Sequence, residues 1–129
     1  MTPGPTEFDR AALQALVAAA AEEFDADVLV LVCDGSKVRM GASEGGGLDA
    51  RVILSQCLRR LNELEEDPPD ATIRAFVRVA GENLGNDQVV LIIREQAELW
   101  VAAGAGARGR VRDILNDALQ SVGGERRRR

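Results

Sequence analysis

Leu13, Leu16, Val17, Ala20 and Phe24 recur at the spacing of one helical face, which predicts a helix from about Glu7 to Phe24. Thr6 is a candidate N-cap, and Glu7 and Asp9 sit where a helix dipole favours negative charge. The pattern then changes. Val28-Leu29-Val30-Leu31-Val32 is an unbroken apolar run, as in a strand covered on both faces. Asp34-Gly35 suits a tight turn. Val38, Met40 and Ala42 then alternate with Lys37, Arg39 and Gly41, which places the return strand near a sheet edge.

Gly45-Gly46-Gly47 leads to a second helical stripe starting near Asp49: Ala50, Ile53, Leu54, Cys57, Leu58, Leu61 and Leu64. Acidic residues and Pro68-Pro69 end it. Residues 70–84 fit two templates. As a strand, Ile73, Ala75, Val77 and Val79 alternate; as a helix, Ile73, Phe76, Val77, Ala80 and Leu84 share a face, with Gly85 as the C′ glycine. A second hairpin follows. Val89 to Ile93 is its buried strand, Glu95-Gln96 lies near the turn, and Leu99, Val101 and Ala103 face opposite to Trp100. A glycine-rich link, Gly104 to Gly109, opens a last helix carrying Val111, Ile114, Leu115, Ala118, Leu119 and Val122, which Gly123-Gly124 is expected to stop.

The halves resemble each other. Sliding residues 24–61 onto 85–122 pairs Val28 with Val89, Ala42 with Ala103, Gly45 with Gly106, Arg51 with Arg112, Ile53 with Ile114, Leu54 with Leu115 and Leu58 with Leu119. At an offset of 60, Leu13, Leu16, Val17, Ala20 and Phe24 fall on Ile73, Phe76, Val77, Ala80 and Leu84, which favours the helical reading of residues 70–84. The expectation is an α+β fold. A central antiparallel sheet of four or five strands, built from two hairpins, is flanked by three or four helices, with a possible pseudo-twofold ββα repeat. Residues 1–6 read as a disordered lead-in, 7–122 as one domain and 123–129 as a basic tail.

Composition narrows the chemistry. The 129 residues include no His, so the commonest general base and metal ligand is missing. Cys33 and Cys57 sit in apolar runs, without a CxxC pair, and read as buried reduced thiols of a cytoplasmic protein. No stretch reads as a signal peptide or a membrane span. Aromatics are limited to Phe8, Phe24, Phe76 and Trp100, which argues against stacking on bases as the main recognition mode. The net charge is −5, yet residues 108–129 hold seven arginines against three acids. An acidic body with a basic end is a solubility device by default, and it could also dock an acidic partner or a phosphate backbone. Nucleic-acid binding through Arg126 to Arg129 would be weak and salt-sensitive, and is not favoured.

Gly104-Ala105-Gly106-Ala107-Arg108-Gly109 fits G-x-G-x-x-G, but a hairpin strand precedes it and too little chain follows to supply a second parallel strand. A dinucleotide site is therefore not expected. Arg108, Arg110 and Arg112, beside the N-terminus of the last helix, are the candidates for holding an anion or a partner's carboxylate. Gly45-Gly46-Gly47 lacks the Lys-Ser/Thr of a phosphate loop, and Glu63, Glu65, Glu66, Asp67 and Asp70 match no EF-hand spacing. No catalytic constellation, metal site or cofactor is expected.

The runs DVLVLVCDGSKVRMGAS (Asp27 to Ser43) and LWVAAGAGARGRVRDIL (Leu99 to Leu115), in the order helix, hairpin, helix, variable segment, hairpin, glycine link, helix, resemble the roadblock/LC7 domain. The resemblance covers about residues 7–122. It implies a profilin-like fold, a third strand at residues 70–79, and a homodimer or heterodimer serving as a platform for small GTPases, motors or polymers. The expected function is a non-enzymatic, dimeric interaction or regulatory module, with an exposed patch around Trp100, Val101 and Met40 as the interface. The alternative is a GAF- or PAS-like sensor of a small ligand or anion.

Overall fold

A computed structural model describes residues 10–34, 37–45, 49–61, 71–96 and 98–127. In chain order the elements are α1 (Arg10–Phe24), β1 (Asp27–Asp34), β2 (Lys37–Ala42), α2 (Ala50–Arg59), α3 (Ala71–Leu84), β3 (Val89–Glu95), β4 (Glu98–Ala103) and α4 (Val111–Arg127). The fold is α+β, with one four-stranded antiparallel sheet in the order β2-β1-β3-β4. The expected lead-in, the Asp34-Gly35 turn, most of the first glycine run and the acidic stretch before α3 lie wholly or partly outside the described residues.

The two central strands are the unbroken apolar runs, and the reason is visible on both sides of the sheet. Leu29, Leu31, Val90, Ile92 and Val101 pack under α2 and α4, with Ile53, Leu54, Ile114 and Leu115. Val28, Val30, Val32, Leu91 and Ile93 pack under α1 and α3, with Leu13, Val17, Ile73 and Val77. Alternate residues of one strand thus feed two cores, and a strand serving both must be apolar throughout. The alternating strand β2 takes an edge position, as its wetter face requires.

Residues 71–84 are helical. Ile73, Val77 and Ala80 point into the core on the helical period, and Arg74, Arg78 and Val79, which a strand would have placed alternately, are exposed. The third strand implied at residues 70–79 by the roadblock resemblance is therefore not formed. Gly85 follows with φ of 65°, the left-handed conformation that lets a helix end sharply. Asp25 takes the same conformation after α1, with φ of 50°.

Gly123-Gly124 does not end the last helix, which continues to Arg127. Glycine lowers helix propensity by about 1 kcal/mol against alanine but does not forbid helical φ and ψ, unlike proline. The segment expected as a basic tail therefore begins inside a helix.

The halves share an order, αββα twice, and also a register. Leu29 pairs with Ala42 in the first hairpin and Val90 with Ala103 in the second, an offset of 61 at both positions. The amide of Ser43 donates to the carbonyl of Val28, and that of Gly104 to the carbonyl of Val89. Ile53 donates to Asp49, and Ile114 to Arg110, again at that offset.

Candidate functional site

A cleft of about 1190 Å³ opens between α3 and the link from β4 to α4. One helical face supplies the first wall, with Arg74, Arg78 and Glu82 above small residues such as Ala75 and Gly81. Small side chains there leave room that leucines would fill. Ala103, Gly104, Ala105 and Arg108 line the cleft from the link, and Asn86, Asp87 and Gln88 close the end near the C-terminus of α3.

That closing loop is pinned from two sides. The Asn86 side-chain amide donates to the carbonyl of Cys33 at 2.6 Å, and its oxygen accepts from the Gln88 amide at 2.8 Å. The amides of Gly104 and Gly106 donate to the carbonyls of Val89 and Asp87. Gly104 sits so close to this loop that a Cβ there would meet the Asp87 carbonyl oxygen at 2.5 Å. Gly104 and Gly106 of the G-x-G-x-x-G run therefore let two loops approach, which is a packing role, and Gly109 takes a positive φ of 81°.

The candidate arginines separate. Arg108 lines the cleft. Arg110 does not, but donates to the side-chain oxygen of Gln88, which does. Arg112 is exposed on α4 and is not among the lining residues. Arg74 and Arg78 escaped the sequence reading, although both are exposed and neither has an ion pair among the described residues. Their signal was faint: two arginines one turn apart on a segment whose helical state was itself undecided.

The expected interface patch is not formed. Val101 is 1% exposed, packed under α2 and α4. Met40 packs partly against that same core, and Trp100 against the core on the opposite face. Met40 is on β2 and Trp100 on β4, the two outer strands, so two strands lie between them and they share no one surface. The reason is the two-sided cover of the sheet, which takes every other residue of β4 into one core.

Catalytic resources near the cleft are few. Cys33 lines it, but burial pushes its thiol above the ordinary value, only partly countered by Arg110, which disfavours the nucleophilic thiolate. Burial pushes Cys57 further, to about 12. Both cysteines are free and buried, as expected. Among the described residues no three side chains are grouped to hold a metal ion.

The opposite end of the sheet handles its polar groups differently. Arg94, from β3, donates to Asp27 at 2.5 Å and to Asp49 at 2.7 Å. Asp49 precedes α2 but makes no side-chain capping bond, because its carboxylate is turned to Arg94 instead. At an offset of 61 the positions of Asp27, Asp49 and Arg94 fall on Gln88, Arg110 and Cys33. One end is closed by an ionic triplet, the other by a neutral amide and an arginine beside the cleft. No protein family, curated protein or solved structure matches the chain.

Proposed function

We propose that the protein is a non-enzymatic binding module whose cleft between α3 and the β4–α4 link holds a small anionic ligand. The observation that carries this reading is the placement of Arg74, Arg78 and Arg108 around one cleft. At an offset of 60, the positions of Arg74 and Arg78 fall on Gln14 and Ala18 in α1. The other helix on this face of the sheet thus carries no arginine at those positions. Two cations one turn apart repel each other, and an anion between them removes that cost. The mixed lining, small apolar residues with a few convergent charges, is that of a ligand site.

Thermal unfolding in sodium phosphate against sodium chloride at equal ionic strength tests the reading. A ligand that binds only the folded state raises its apparent stability. Phosphate is expected to raise Tm of the native chain but not of the double variant Arg74→Gln/Arg78→Ala, which carries the α1 residues. Equal shifts in both proteins would overturn it.

A further inference from the structure

The charges along the cleft are ordered. Arg74 lies in the first turn of α3, Arg78 one turn on, and Glu82 in the last turn, with Asp87 in the loop beyond. This order opposes what helix stability favours. The first turn of α3 holds no acid and the last turn no base, whereas the helix dipole favours acids first and bases last. The Arg78–Glu82 pair also runs in the weaker of the two i, i+4 orientations. Dipole and side chains therefore add rather than cancel. The α3 wall of the cleft is positive toward the N-terminus of α3 and negative toward its C-terminus, with Arg108 on the facing link.

Resting on the ligand-site reading above, we propose that the cleft selects an elongated zwitterion, its anion toward Arg74 and Arg78 and its ammonium toward Glu82 and Asp87. At a rise of 1.5 Å per residue, Glu82 lies roughly 6 Å from Arg78 and 12 Å from Arg74 along the helix. An extended tripeptide spans roughly 10 Å between its termini. Its carboxylate matches the donor geometry of an arginine pair, and the small Ala75, Val77 and Ala103 also line the cleft and leave room for a peptide backbone. A free short peptide is the ligand class that fits.

Titration of the ¹⁵N-labelled full chain with trialanine, N-acetyl-trialanine, trialanine amide and phosphate tests this. Trialanine is expected to shift the amides of residues 74–88 and 103–108. Each blocked peptide is expected to bind about tenfold more weakly, the loss of one charge-assisted contact. Glu82→Gln is expected to weaken trialanine binding and leave N-acetyl-trialanine unchanged, which a structural role for Glu82 would not do. If N-acetyl-trialanine or phosphate binds as well as trialanine, the zwitterion proposal falls and the anion reading stands. If no probe moves cleft signals, both fall.

Discussion

Val30 and Leu91 face each other at the centre of the sheet, and they are also equivalent positions of the two halves at the offset of 61 that relates the hairpins. Several pairings and backbone bonds recur at that offset in the two hairpins, while the side chains at the two ends of the sheet differ. The shared part is what the fold needs, and the differing part, the arginine-lined cleft against the Asp27–Arg94–Asp49 triplet, is where the chain is free to be specific.

Arg94 holds two carboxylates at once, so its removal leaves Asp27 and Asp49 facing each other without a cation. Arg94→Met is expected to lower stability by about 1–3 kcal/mol, with allowance for the partial exposure of both acids. Asp49→Asn in the Arg94→Met background is expected to cost less than in the native chain, because the partners are shared. Urea unfolding of the four proteins reads both effects.

Ser43 stands at the position equivalent to Gly104, and both amides make the same bond back to their hairpin. Only Gly104 presses against a neighbouring loop. Gly104→Ser is therefore expected to destabilise by about 1–3 kcal/mol, as overpacking does, even though serine serves in the other half. Ser43→Gly, which removes the hydroxyl that accepts from the Val28 amide, is expected to cost about 1 kcal/mol.

Burial holds the Cys57 thiol neutral up to about 12, against an ordinary value of 9.0. The unfolded chain ionises this thiol first, so the stabilising difference is complete below pH 9 and is lost as pH rises from 9 to 12. Cys33, raised for the same reason, acts in the same direction. Cys57→Ala is expected to be less stable at pH 7, from lost packing, but to show a flatter decline of stability above pH 9. Urea midpoints at pH 7, 9 and 10.5 provide the comparison.

Ile92 and Leu54 are fully buried on the α2/α4 face. Truncation of either to alanine is expected to cost about 2–5 kcal/mol. Val52, half exposed on the outside of α2, is expected to tolerate Val52→Ala within about 0.5 kcal/mol. Guanidinium midpoints separate the two classes.

Periodicity carried most of the architecture. The apolar runs of β1 and β3 announced central strands because both faces are covered, and the match of Ile73, Phe76 and Val77 to α1 favoured, without deciding, the helix that the segment forms. What failed to show were relations set by tertiary placement. Asp49 reads only as the start of a helix, yet its side-chain partner comes from a strand forty-five residues later. Val101 reads as exposed because nothing local says that two helices cover its face. The cleft is invisible along the chain, since one wall comes from α3 and the other from a link that local pattern explains as turn chemistry alone.

The central pair β1–β3 joins segments made far apart in time. When the first half leaves the ribosome, β1 has β2 on one side and an open row of amides and carbonyls on the other, along its most apolar run. That edge stays available for mispairing until β3 has been synthesised. A chain truncated after residue 61 would keep that edge permanently and is expected to aggregate, so the second half acts as the cover of the first half's open strand.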